Sequence, residues 1–418
     1  MSGPSSSSGA RGLAYILGAT VVAGLVGYLI QLLAPAALTD PARYIAFTVF
    51  WSTLYLMVGT VGGLQQEVAR ATTASAEGSQ SSPMLRTVTL WAIVVLGGMA
   101  VIIGFLIGPA SFAGDAAIMA VWLGVGVAGY LLIAVFSGVL YGLRAWRIIA
   151  AVTVIDATLR GVLVTVGLLL NAPPVVLGGA VALPFGLTFL IVWAIARRTV
   201  IGRFSVDVPR RRLVTNSLGT LSAAAATGVV VTGLPLVLSI TMSTQDTIAV
   251  ATLISVVTIT RAPLIVPLFA LQSYLIVDFR GTRGVVRRLL RYGGLISLAT
   301  AAGMLFAYFI GPAIISGISS GRYVVGAWPI ALIVLSAGLV ALLSLTGSAL
   351  LAESRHAAYA AGWIVAAVAT VVLLLVPTDP TLRTLTAVLV APILGLAVHL
   401  WVIAAEVSGS GSRIEPAL

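Results

Sequence analysis

The chain has 418 residues, 60% of them hydrophobic and only 8% charged, with a mean hydropathy of +1.13. Soluble domains run to about 45–50% apolar and about 25% charged, so a water-soluble globular enzyme is excluded. The net charge is +11, and all 23 basic residues are arginine. In so apolar a chain this excess points to a membrane surface and not to nucleic acid. The absence of cysteine removes disulfides, thiol catalysis and thiolate metal sites together.

A transmembrane helix needs about 20 apolar residues. Apolar runs bounded by proline, glycine and charge predict twelve spans. The first six are Leu13–Leu38, Ala42–Gln66, Thr87–Ile107, Ala116–Leu143, Ile148–Leu170 and Val175–Ala196. The second six are Leu213–Met242, Thr247–Tyr274, Leu289–Ile310, Tyr323–Leu351, Ala357–Val376 and Leu382–Ala405. The first run is too long for a signal-peptide core and reads as a retained helix. Residues 1–10, which include the low-complexity stretch Ser2–Gly9, read as a disordered tail. Residues 11–197 then form a first lobe, 198–212 a basic linker, 213–405 a second lobe and 406–418 a closing tail.

Arginine placement sets the expected orientation. With the N-terminus inside, eighteen arginines fall on the cytoplasmic side and only Arg43, Arg322 and Arg383 on the outside, beside Asp40, Asp115, Asp246 and Asp379. Both termini are therefore expected in the cytoplasm of a bacterial inner-membrane protein. An even number of spans per half makes the halves parallel repeats. Faint similarities support this. Leu64-Gln65-Gln66-Glu67 with Arg70 matches Leu271-Gln272 with Asp278 and Arg280, and Ser137-Gly138 then Arg144 matches Thr346-Gly347 then Arg355. Outside loops are too short to hold an acidic catalytic domain, and no HExxH helix is present. His356 reads as a cytoplasmic interface residue and His399 as a packing residue. The chain reads as a transporter, with no cofactor.

A charge at mid-bilayer costs about 2.5–3.5 kcal/mol on insertion scales and marks a functional candidate. The fifth span carries Asp156 and Arg160, four residues apart and so on one helix face. They are either a self-neutralising pair or part of a cavity. The eighth span carries Arg261, followed by Pro263 and Pro267, which remove backbone donors and loosen a helix. Arg261 either caps the carbonyls those prolines free or lines a positively charged, water-filled cavity. The first span offers only Tyr28 and Gln31 as strongly polar groups. A cation-coupled exporter needs a buried carboxylate, and Asp156 is the sole candidate.

These residues resemble the multidrug/oligosaccharidyl-lipid/polysaccharide exporter superfamily, in particular its polysaccharide flippases. The resemblance rests on Ser137-Gly138-Val139-Leu140-Tyr141-Gly142-Leu143-Arg144 through Ile155-Asp156-Ala157-Thr158-Leu159-Arg160, and on Gly62-Gly63-Leu64-Gln65-Gln66-Glu67-Val68-Ala69-Arg70. It implies an all-α polytopic protein of twelve helices in two six-helix lobes with pseudo-twofold symmetry, forming a V that alternates between inward- and outward-open states. It also implies a substrate: a lipid-linked saccharide that enters sideways and is turned over. The chain departs from the lipid II flippase pattern in having only Glu406–Leu418 after its twelfth span.

Within that expectation Arg261, supported by Arg160, attracts the phosphate of a polyprenyl carrier through charge-assisted contacts. Gln31, Gln65, Gln272 and Tyr274 contact the glycan, and Glu67 with Arg70, or Asp278 with Arg280, forms an inner gate. Expected partners are membrane lipids, the lipid-linked substrate and cell-envelope biosynthesis proteins. A cation-coupled multidrug antiporter of the same fold and a degenerate membrane scaffold are the alternatives.

Overall fold

Helix caps and chain-breaking residues divide the chain into its elements. The computed structural model describes residues 6–74, 82–206, 210–242, 246–280 and 284–411. In order these form α1 (Ser6–Ala37), α2 (Pro41–Ala71), β1 (Thr72–Ala74), α3 (Ser82–Ala92), α4 (Gly98–Ser111), α5 (Ala116–Gly142), α6 (Trp146–Leu169) and α7 (Pro174–Val200). There follow β2 (Phe204–Val206), α8 (Arg210–Val231), α9 (Leu234–Thr241), α10 (Thr247–Phe279), α11 (Val285–Ile318), α12 (Ala327–Ala352), α13 (His356–Leu374) and α14 (Pro380–Gly411). Among the described residues eleven helices are long and apolar enough to cross a membrane, or twelve if one bent pair counts as a single span. The third span joins α3 to α4 through a π turn at Ile93–Gly97.

Three of the acids expected in outer loops have a local duty. Asp40 Oδ1 accepts from the Ala42 amide at 2.9 Å, Asp246 Oδ1 from Ile248 at 3.1 Å and Asp379 Oδ1 from Leu382 at 2.9 Å. Each satisfies an orphan N–H at a helix start. Helix α1 begins at Ser6, inside the stretch expected as a tail, and residues 1–5 and 412–418 lie outside the described residues. The basic linker contains β2, which pairs antiparallel with β1, Thr73 opposite Ser205.

The seventh span departs from expectation. It is not continuous: α8 and α9 meet at a 68° bend. Gly233 caps α9, and Pro235, which has no N–H, stands in its first turn. The missing donor and the proline ring together stop α8 from running on. The eighth span, by contrast, stays helical through Pro263 and Pro267 as α10.

The chain packs as two compact units, Met1–Gly228 and Val229–Leu418. In the first, α5 lies against α2, α4 and α7; in the second, α12 lies against α10, α11 and α14. The fourth span of each half is thus the hub of its unit. The loops that follow the two hubs also match. Leu143 N–H donates to Val139 O, Arg144 to Tyr141 and Ala145 to Leu140; 210 positions on, Glu353 donates to Ala349, Ser354 to Leu351 and Arg355 to Leu350. This is the pattern of a Schellman cap, with Arg144 at φ 56° and Ser354 at φ 62° where glycine is usual.

In the second unit His399 is fully buried. Its Nε2 donates to the Tyr359 carbonyl at 3.1 Å, and its Nδ1 lies 3.0 Å from Thr346 Oγ1. It therefore ties α14 to α12 and α13. A Cβ at Gly362 would run into its ring. Gly362→Ala is expected to lower the thermal unfolding midpoint of the purified protein, because overpacking costs about 1–3 kcal/mol. Ser354→Gly is expected to raise that midpoint slightly, since relief of a left-handed residue is worth about 1 kcal/mol. Thermal denaturation of each variant in nanodiscs measures both effects.

Candidate functional site

The first unit holds a buried ion pair beside a cavity. Asp156 and Arg160 lie one turn apart on α6, so their side chains meet. Arg160 Nη1 donates to Asp156 Oδ2 and Nη2 to Asp156 Oδ1, both at 2.7 Å. The same guanidinium donates to Tyr55 Oη of α2 at 2.8 Å and, through Nε, to the Val181 carbonyl of α7 at 3.1 Å. Its carbon sits 4.1 Å from the centre of the Phe185 ring. Arg160 is 4% exposed, and each of these contacts offsets its desolvation. Of the two readings left open by the sequence, the structure realises the pair and also places it against a cavity.

That cavity has a volume of about 200 Å³. Asp156, Arg160 and Thr153 of α6 face Trp51 and Tyr55 of α2, Tyr130 of α5 and Phe185 of α7. Trp51 and Tyr55 are stacked with centres 4.8 Å apart, and Tyr130 meets Phe185 edge-on at 5.2 Å. From α1, Gly27 and Ile30 line the wall. Tyr28 is half-buried nearby in sequence, and Gln31 is buried with its Oε1 lacking a hydrogen bond.

In the second unit Arg261 is 5% exposed. Its Nη2 donates to the Val230 carbonyl at 3.2 Å, while its buried Nε has no partner. Val230 belongs to the last turn of α8, whose carbonyls lose their helical donors at the bend. A cation is favoured there by the negative end of the helix. So Arg261 does cap a carbonyl, but one freed by the break in the seventh span and not by its own prolines.

Arg383, read from the sequence as an outer-loop charge, is 7% exposed. It donates to the carbonyls of Thr241 at 3.3 Å, Leu374 at 3.4 Å and Thr378 at 2.9 Å. It therefore binds the ends of α9 and α13 together.

Three of the four gate candidates, Glu67, Arg70 and Asp278, are paired within their own units. Arg70 Nη2 lies 2.5 Å from Glu67 Oε1 along α2. Asp278 takes Arg288 at 2.9 Å and the Tyr292 hydroxyl at 3.0 Å, whereas Arg280 is exposed. Gln65 and Gln272 are half-buried near the ends of α2 and α10. The side chain of Tyr274 lies outside the described residues.

Comparison with known proteins adds sequence relatives and fold relatives. No family model matches the sequence. An uncharacterized protein of Mycobacterium bovis is 32% identical over 419 residues, covering 95% of this chain and 94% of its own. Two uncharacterized proteins of one Mycobacterium tuberculosis strain are each 32% identical, over 419 and 414 residues. The chain belongs to this mycobacterial family. Among solved structures, an inward-facing multidrug resistance MATE family transporter of the MOP superfamily matches with a TM-score of 0.64 at 15% identity, covering 90% of this chain and 94% of that one. An outward-facing MATE structure matches at 0.62, also at 15% identity, covering 94% and 96%. A MOP superfamily transporter from Pyrococcus furiosus matches at 0.58 and 14% identity, covering 94% and 96%. The chain thus has the fold of these MATE transporters and is a multi-pass membrane protein.

In this family member the sequence reading missed the aromatic half of the site. Trp51 and Tyr55 are four apart in a span, which signals one helix face; Tyr130 and Phe185 reach them only through tertiary packing. The pair itself yields a prediction. Arg160→Met strands the Asp156 carboxylate in a dry site and is expected to cost about 3–5 kcal/mol, whereas Arg160→Met with Asp156→Leu recovers most of that loss. Unfolding of the three proteins in the same detergent measures the difference.

Proposed function

We propose that the chain is a membrane transporter of the flippase type. It carries a polyprenyl-phosphate-linked saccharide from the inner to the outer leaflet of the bacterial cytoplasmic membrane by alternating access, with both termini inside and no catalytic chemistry. One observation carries this reading: Arg160 occupies both oxygens of Asp156 at 2.7 Å. Cation-coupled export needs a carboxylate at depth that can release and regain a cation. Here the carboxylate that the sequence places there is already neutralised.

Arg261 supplies the complementary half. Its unpartnered Nε leaves a donor for a phosphate oxygen, and arginine–phosphate contacts are charge-assisted and often bidentate. With the cytoplasm negative, moving one negative charge outward is favourable by about 2.3 kcal/mol per 100 mV. The membrane potential then drives export without a coupling ion. Gln31, Gln65, Gln272 and Tyr28 supply uncharged polar contacts for the glycan, and cell-envelope biosynthesis proteins supply the substrate. For the Pyrococcus furiosus transporter, reverse polarity of the binding pocket suggests a different function, which supports reading function from pocket charge in this fold.

Cation-coupled drug export is the second reading. It is favoured by the multidrug resistance transporters among the fold relatives, and it requires Asp156 to part from Arg160 during transport.

Proteoliposomes separate the two. The protein is expected to move a fluorescent polyprenyl-phosphate saccharide between leaflets, faster under an imposed potential. Arg261→Gln is expected to slow it about tenfold. Absence of lipid turnover, together with proton- or sodium-driven efflux of a cationic dye that Asp156→Asn abolishes, would replace the first reading with the second. In cells, depletion is expected to leave a lipid-linked sugar accumulating on the cytoplasmic leaflet.

A further inference from the structure

The cavity of the first unit has a chemistry that a phosphate contact at Arg261 leaves unused. We infer that this cavity is a subsite for one uncharged, hydroxyl-bearing sugar ring. The inference rests on the saccharide reading above and assigns the ring to the walls formed by Trp51, Tyr55, Tyr130, Asp156 and Phe185.

Size is the first argument. Sites for drug-sized ligands occupy about 300–1,000 Å³. A cavity of about 200 Å³ falls below that range and matches a single ring better than a polycyclic drug.

Charge is the second. The cavity wall carries one carboxylate and one guanidinium, bound to each other through two hydrogen bonds. A cation approaching Asp156 meets Arg160, and an anion approaching Arg160 meets Asp156. The site is neutral as a whole and favours a neutral guest.

Polarity within that neutrality is the third argument. Each carboxylate oxygen accepts from Arg160 once but has capacity for about two hydrogen bonds. The Asp156 side chain stays 17% exposed, so hydroxyl groups of a guest can donate to it. The aromatic walls complete the match. Trp51, stacked on Tyr55, and Tyr130, edge-on to Phe185, line the cavity, and aromatic rings carry electron-rich faces. Axial C–H groups of a sugar ring, polarised by their oxygens, pack against such faces while the hydroxyl rim turns to polar groups.

Saturation-transfer NMR tests the inference. The full chain is placed in nanodiscs, because maltoside detergents carry sugar rings of their own. The probes are methyl glucoside, methyl galactoside, methyl mannoside and methyl xyloside, with tetramethylammonium and inorganic pyrophosphate as charged comparators. At least one methyl glycoside is expected to bind through its ring protons. Trp51→Ala is expected to weaken that binding about tenfold, while Trp51→Phe, which keeps an aromatic face and guards against a folding defect, retains it.

The inference is overturned if no methyl glycoside binds the wild-type protein. It also fails if Trp51→Ala leaves binding unchanged, or if tetramethylammonium displaces the sugar. Lipid turnover in proteoliposomes without glycoside binding would sink the subsite and leave the flippase standing. Glycoside binding without turnover would support the subsite and sink the flippase.

Discussion

Inside hydrocarbon every backbone carbonyl must find a donor within the protein, because no water is there to supply one. The same demand for donors shows at helix ends, where arginines close carbonyls that have lost their helical partners. Arg383 donates to the ends of α9 and α13, and Arg261 to the end of α8. Arg43 Nη2 donates to the carbonyls of Asn171 and Ala172 at 2.9 and 2.6 Å, where α6 has ended. A guanidinium carries five donors in a fixed fork, so one side chain can close several carbonyls. Threonine hydroxyls have the converse need within helices: Thr53, Thr252, Thr258 and Thr370 each donate to the carbonyl four residues earlier.

The two units share a backbone plan and differ in what they mount on it. Both hubs end in the same hydrogen-bonded loop, 210 positions apart. Carried along the next helix, that offset sets Asp156 opposite Ala366 and Arg160 opposite Thr370. Ala366 and Thr370 are buried at 0% and 3% exposure, so the second unit fills with packing the place where the first holds its ion pair. The second unit carries its own charge elsewhere, at Arg261 on α10. The two units thus repeat a backbone pattern and differ in the side chains mounted on it.

What was legible in the sequence follows from range. Twelve apolar runs are local signals, and so is a carboxylate four residues from an arginine; both were readable. The break in the seventh span also had a local signal, Gly233-Leu234-Pro235, but it lies inside a run apolar enough to read as continuous. The burial of Arg383 left no local signal, because a charge near a span end fits an exposed loop as well as a buried cap. The β1–β2 ladder pairs three residues with three others at least 130 positions away, and strands that short have no periodicity to detect. The aromatic cavity needed tertiary contacts among α2, α5 and α7, and only Trp51 with Tyr55 left a trace.

The charges at depth can then be weighed unit by unit. In the first, Asp156 and Arg160 cancel, and the pair presents a dipole instead of a net charge. In the second, Arg261 faces the end of α8, where the aligned peptide dipoles amount to about half a negative charge. That half charge offsets part of the guanidinium and leaves the remainder unbalanced. A buried cation of this kind holds its place through the helix end it caps. The bend in the seventh span, made by Gly233 and Pro235, thus frees the carbonyl that Arg261 caps.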